Sequence, residues 1–203
     1  MSNVAGHAKP PPTRAIQDLE RMSFRMDAAG RAMHLLAKAA GLNPRLLEVP
    51  LLPPQLEDND VGFDNWMEST GDYYGIESES ITASFAELPA LLEGVGPALL
   101  RVPVAGEHRL LPILRGGKEF LSVVGPGGKL QRIPTEVVSK AIYDPMVTVS
   151  LSMIDGWLDR AGLPERKRPK VRRALILSRM GDITACRAWI VRLSPGASTW
   201  QQL

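Results

Sequence analysis

GPALLRVPVAGEHRLLPILRGGKEFLSVVGPGGKLQRIP, residues 96–134, is the stretch from which the rest of the chain can be read. Three apolar runs stand in it, residues 98–102, 110–114 and 120–124. Ala105-Gly106, Gly116-Gly117 and Gly125-Pro126-Gly127-Gly128 punctuate them. Short apolar runs bounded by turn residues predict the strands of an antiparallel meander. Gly116-Gly117 is expected to supply the positive φ of a tight hairpin turn. Residues 129–133 alternate polar and apolar, which predicts an edge strand before Pro134-Thr135-Glu136 opens a helix.

Upstream, Asp64 can cap a helix that holds Trp66 and Met67 and closes near Gly71 and Gly75. Residues 76–85 should be extended, and 86–92 a short helix with Glu87 in its first turn. Pro44, Pro50, Pro53 and Pro54, followed by Glu57, Asp58 and Asp60, mark a loop or a seam between lobes. Ile16, Leu19, Met22, Met26, Ala29 and Met33 recur at helical spacing and predict one or two helices ending at Gly41. Residues 1–13, with Lys9-Pro10-Pro11-Pro12, read as a disordered lead-in. Downstream, a helix is expected over 135–142, and the chain changes character at Asp144-Pro145. Leu151, Ile154, Trp157 and Leu158 predict an amphipathic helix stopped by Gly162 and Pro164. Val171, Ala174, Leu175 and Leu177 predict another, ending at Gly181, and residues 188–193 a last apolar strand. Ser198 can cap a helix carrying Trp200.

Composition narrows the function classes. A net charge of +2 is too small to argue for nucleic acid, and 44 % apolar residues fit a globular chain. The single cysteine, Cys186, excludes an internal disulfide framework, and His7, His34 and His108 show no metal-ligand spacing. No apolar run reaches the ~20 residues that cross a bilayer. The glycines at 125–128 precede a strand and not a helix, so they lack the context of a phosphate loop.

Residues 66–142 resemble the bacteriocin-processing cysteine-peptidase family, the domain at the N-terminus of bacterial peptide-exporting ABC transporters. The resemblance is carried by Tyr74-Gly75-Ile76, by Phe85-Ala86-Glu87-Leu88-Pro89-Ala90-Leu91-Leu92 and by Pro97-Ala98-Leu99-Leu100. Gly106-Glu107-His108-Arg109-Leu110-Leu111 and Pro134-Thr135-Glu136-Val137-Val138 complete it. It implies an α+β, papain-like fold with a small antiparallel sheet, here with a helical C-terminal extension. The organisation expected is a lead-in at 1–13, a peptidase-like domain at 14–145 and a helical extension at 146–185. A strand and the start of a helix leading into a membrane would occupy 186–203.

The family chemistry needs a thiolate beside a histidine and a third group to orient the imidazole. His108 stands where the histidine would. The nucleophile belongs near Asp27-Ala28-Ala29-Gly30-Arg31, and that window holds neither cysteine nor serine; Ser23 is the nearest hydroxyl. Gly125-Pro126 takes the place of the family's Asp-Pro. What is implied is therefore a degenerate domain, not an enzyme, that docks an export substrate or leader peptide. Trp66, Tyr73, Tyr74 and Phe85 are either core or an aromatic groove for an extended peptide, with His108 beside it. Arg192-Leu193-Ser194-Pro195-Gly196-Ala197-Ser198-Thr199-Trp200 is similar to the segment that precedes the membrane helices in some of these transporters. Arg166, Lys167, Arg168, Lys170, Arg172 and Arg173 are either a solvated helix face or, with Trp200, a surface toward an anionic leaflet. The resemblance places the chain at the cytoplasmic face of the bacterial inner membrane, in a homodimer, with ATP and magnesium used by another domain. No cofactor, metal or nucleic acid is expected in this segment. Two rivals remain: an active cysteine peptidase using Cys186 and His108, and a free-standing soluble peptide-binding adaptor.

Overall fold

The computed structural model describes residues 14–45, 48–162 and 164–193. The expected lead-in and the membrane-directed helix with Trp200 lie outside them. Helix α1 (Arg14–Met22) is followed by the two-residue strand β1 (Phe24–Arg25), a 3-10 turn (Met26–Ala28) and α2 (Ala29–Ala39). After the proline-rich segment come α3 (Asp60–Tyr74), β2 (Ile76–Ser84) and α4 (Leu88–Gly94). The meander is β3 (Ala98–Val104), β4 (Glu107–Arg115), β5 (Phe120–Val124) and β6 (Leu130–Pro134). Then α5 (Thr135–Arg160) packs against α6 (Arg168–Met180), and β7 (Thr184–Leu193) follows.

All strands join one antiparallel sheet in the order β2-β7-β3-β4-β5-β6, and β1 pairs with β4 beyond the reach of β5. The meander and the edge position of β6 are as the apolar runs and the alternation of residues 129–133 predict. Ala105 and Gly106, with φ of 54° and 90°, make the two-residue β3–β4 turn, whose positive φ values match the twist of the strands. Strand alternation divides the core in two. Ala98, Leu100, Val102, Leu111, Ile113 and Ala188 face the side covered by α1, α4 and α5. Leu99, Leu110, Val124, Trp189 and Val191 face the side covered by α2 and α3. Each large apolar side chain fully removed from water contributes about 1.5–3 kcal/mol, so both layers hold the sheet. The α+β class with an antiparallel sheet is the one expected.

Several local readings change. Gly116 and Gly117 do not have positive φ; they lie under the end of α4, whose carbonyls they cap. Gly116 N–H donates to Val95 O at 2.6 Å and Gly117 N–H to Leu92 O at 3.1 Å. A Cβ at Gly116 would sit 2.5 Å from Leu92 O, so close approach, and not turn type, demands glycine there. Asn59, not Asp64, caps α3, its side chain accepting from Gly62 N–H at 3.0 Å. Helix α5 continues through Asp144-Pro145, so the division expected at 145/146 falls inside one helix. Burial of Val138, Ile142, Ile154 and Leu158 outweighs the one hydrogen bond that Pro145 cannot donate. The strand expected as part of a C-terminal appendage is longer than the 188–193 run and lies in the middle of the sheet, paired with β2 along its length and with β3.

Candidate functional site

Among the concavities on the α2–α3 side of the molecule, two involve the residues singled out by the sequence. The first is a cleft of about 280 Å³ where the start of α2 meets the β3–β4 turn. Arg25, Met26 and Asp27 line it from one chain segment, Gly106, Glu107 and His108 from another, and Glu57 and Asp58 make up the rest. Pairing of β1 with β4 sets this geometry: Arg25 lies opposite Arg109, which brings the 3-10 turn beside His108. Strand parity places His108 on the same face as Leu110 and Arg101. Its pKa lies below 6.5, first because the ring loses solvent and then because of the Arg101 guanidinium; Asp58 and Asp60 pull the other way. The imidazole is therefore biased toward its neutral form.

The window 27–31 begins in the 3-10 turn, and Ala28 caps α2 without any side-chain hydrogen bond. Ser23 is not available to the cleft. It is buried, its hydroxyl donates to Glu20 O at 3.2 Å, and it accepts from Arg109 Nε at 3.0 Å. Cys186 belongs to the apolar layer on the opposite face of the sheet, and burial pushes its thiol up to about 11, against a smaller opposing hydrogen bond from the Ala83 backbone. The Cys186–His108 pair is thus not assembled: in β7 residue 186 points to the face away from His108. Among the described residues no group of histidine, cysteine and carboxylate side chains could hold a metal ion.

The second concavity is a groove of about 540 Å³, lined by Glu48, Val49, Pro50 and Leu51 across from Trp66, Ser69, Thr70 and Tyr73 of α3. Segment 48–51 crosses α2 so closely that a Cβ on Gly30 would lie 2.6 Å from Pro50 O. Leu51 is 82 % exposed and Tyr73 41 %, while Trp66 is half-buried, its ring 6.1 Å from Phe63. This is an open apolar surface with an aromatic wall.

The four aromatics expected to form one groove separate into two pairs. Trp66 and Tyr73 line it. Tyr74 is a core residue, its hydroxyl donating to Gly30 O at 3.4 Å, and burial raises its pKa to about 12, with a smaller contribution from Tyr73. Phe85 is fully buried, its ring 5.1 Å from Tyr143, whose hydroxyl donates to the Phe85 carbonyl at 2.9 Å. Both are corrected to structural residues. Helical phase explains the split in α3: Phe63, Met67, Thr70 and Tyr74 repeat every three or four positions and form the buried stripe, while Trp66 and Tyr73 sit one step round. Val49 and Leu51 carried a signal too, since apolar residues inside a proline-rich loop have no helix or strand to bury them.

Between cleft and groove, an ionic network fastens α3 to the sheet. Asp64 accepts from Trp189 Nε1 at 2.8 Å and from Arg187, which also meets Asp60 at 3.2 Å. Arg101 donates to Asp60 at 2.6 Å and to Glu57 O at 3.2 Å. Asp64 is therefore a joint and not a helix cap. Of the basic block, Arg166, Lys167 and Lys170 are exposed, and Arg168 pairs with Asp159 at 2.6 Å. Arg172 is half-buried, the Arg173 side chain is not described, and none of the other five lines cleft or groove.

No protein-family model matches the chain, and no curated protein matches it. Among solved structures it is similar to a double glycine motif protease from an AMS/PCAT transporter in complex with the leader peptide. That likeness has 11 % identity and a TM-score of 0.36, over 84 % of this chain and 89 % of the other. It is also similar to the peptidase domain of Streptococcus ComA, a bi-functional ABC transporter involved in a quorum-sensing pathway. There the identity is 14 % and the TM-score 0.37, over 60 % of this chain and 91 % of the other. Among the described residues no helix is long and apolar enough to cross a membrane.

Proposed function

We propose that this chain is a non-catalytic, papain-like domain that docks an export substrate or its leader peptide at the cytoplasmic face of a bacterial ABC transporter. One observation carries the reading. An open apolar groove with Trp66 and Tyr73 in its wall lies on the same side of the sheet as a cleft where His108 has no thiol or hydroxyl among its lining neighbours. A neutral imidazole without a nucleophile has no acyl chemistry to perform, whereas exposed aromatic rings beside aliphatic side chains are what an extended or helical peptide packs against. On this reading ATP and magnesium act in another domain of a homodimeric transporter. Exposed Arg166, Lys167 and Lys170 then face an anionic leaflet, each contributing roughly 1 kcal/mol near the surface.

The test is titration of the purified chain with a synthetic double-glycine leader peptide, followed by mass spectrometry of the peptide. Binding without cleavage is expected, and Trp66→Ala or Tyr73→Ala should weaken it about tenfold with little change in thermal midpoint. Cleavage that Cys186→Ser or His108→Ala abolishes would establish the peptidase instead.

A further inference from the structure

The sheet has two edges, and their charges are handled differently. On β2, Glu77 and Glu79 both meet Arg192 of the neighbouring strand. On β6 the charges are left open. Thr135 N–H donates to Glu119 O at 2.9 Å and Gly125 N–H to Lys129 O at 3.1 Å, which fixes the phase of the β5–β6 ladder. Gln131 and Ile133 therefore turn their backbone groups toward β5, and Leu130 and Arg132 turn theirs outward. Beside this edge lies a shallow trough of about 310 Å³ lined by Leu114, Arg115, Ser122, Leu130, Gln131 and Arg132. Register puts Arg115 and Arg132 on either side of Ser122, so both stand on one face. Leu130 is 61 % exposed, and the Arg132 guanidinium lies 4.9 Å over the ring of Phe120. No carboxylate lines the trough, and neither Arg115 nor Arg132 meets one among the described residues. Nor do the surrounding elements supply one. Residues 28–47, which include α2, hold no aspartate or glutamate, and Arg31 of that helix donates to Pro126 O in the β5–β6 turn at 3.1 Å. Strand parity turns Glu119 with Leu121 to the opposite face, where Glu93 and Glu136 line a separate concavity.

We propose that the β6 edge takes up an extended acidic segment of another protein as an added strand, its carboxylates meeting Arg115 and Arg132. This surface is separate from the groove: α3 packs on β2, and β2 and β6 stand at opposite ends of the strand order. Outward N–H and C=O groups alternate along β6, and a polypeptide backbone matches both. A phosphate surface accepts hydrogen bonds and donates none, so it would leave the outward carbonyls to water. A second copy of β6 fits poorly, because antiparallel pairing sets Lys129 and Arg132 against their own like charges. Residues 1–13 and 194–203 contain no aspartate or glutamate, so the acidic side chains come from a different chain. Two unpaired guanidiniums over Leu114 and Leu130 select a strand in which carboxylates alternate with small apolar residues.

The test uses three synthetic peptides of about eight residues in which valine alternates with a charged residue. One carries glutamate, one lysine, and the third repeats the glutamate sequence with every backbone amide methylated. Titrated against the full chain at low salt and followed by amide NMR, the glutamate peptide should bind about tenfold more tightly than the lysine peptide. The methylated peptide should lose most of that affinity, because it cannot pair as a strand. The amide signals of Leu130 and Arg132 should move, and their hydrogen exchange should slow. The double variant Arg115→Gln, Arg132→Gln, with its thermal melt as a check on folding, should lose the preference for glutamate. Trp66→Ala, in the groove, should leave that preference unchanged. Equal binding of the glutamate and lysine peptides, undiminished binding of the methylated one, or no binding at all would each overturn the proposal and leave the groove reading standing. Tighter binding of phosphatidylserine vesicles or a single-stranded oligonucleotide, lost in the double variant, would assign the face to phosphate and also overturn it.

Discussion

The groove and the cleft lie on the same side of one sheet and are built in opposite ways. The groove stands on the core: Tyr74 and Met67 lie beneath its aromatic wall, and Gly30 admits segment 48–51 to within contact of α2. The cleft stands on turns, the 3-10 turn at Met26–Ala28 and the two-residue connection at Ala105-Gly106. A surface resting on the core is held in shape by the same contacts that fold the protein. One made of turns can change its residues at little cost to the fold. Substitutions should therefore cost most beneath the groove and least around the cleft.

The largest effect is expected at Tyr74→Ala, which empties a fully buried aromatic site and should lower unfolding free energy by about 3–5 kcal/mol, read by urea denaturation. Tyr73→Ala, one residue earlier and exposed, should change it by less than about 0.5 kcal/mol. Similar values for the two would break the contrast between wall and foundation. Asp64→Ala should follow, at about 2–3 kcal/mol, because Trp189 Nε1 loses its acceptor and Arg187 keeps only Asp60.

The cleft enters with pH. His108 and His34 both have folded pKa values below 6.5, chiefly through desolvation, with Arg101 and Lys38 adding to it. The unfolded chain therefore binds more protons than the folded one just below 6.5. Stability should fall as pH drops through that value and level off below the folded pKa values. His108→Asn should flatten part of this slope in melts between about pH 5 and 7.5, and an unchanged slope would remove His108 as a source. The one stabilising change concerns the turn itself. Ala105→Asn should raise stability by about 0.5–1 kcal/mol, because asparagine tolerates the left-handed φ of 54° that alanine resists.

Legibility in the sequence follows the range of the interactions. The meander was readable because its strands, turns and edge are set by neighbours: the apolar runs and the glycine pairs determine it locally. Trp189 was not readable as a central residue, since its partners Leu99 and Ser80 lie some ninety and more positions away and nothing local selects them. Asp64 looked like a cap because acidic residues favour helix starts; its true role depends on Arg187 and Trp189, which only the folded sheet brings near. Tyr74 and Trp66 could have been told apart by the phase of Phe63 and Met67, a signal present in the sequence. The His108 cleft was half legible: the histidine could be placed from its turn, but Asp27 reached it only through the pairing of Phe24 with Leu110.

Strand β7 sits between β2 and β3 although more than ninety residues separate it from the end of β2. During synthesis, a ribosome that has delivered everything through α6 has made a meander and a ribbon of nine residues, Ile76–Ser84, with no strand yet to pair the one with the other. The nascent protein must hold that ribbon unpaired for seconds, until the stretch around Trp189 emerges and stitches the halves together.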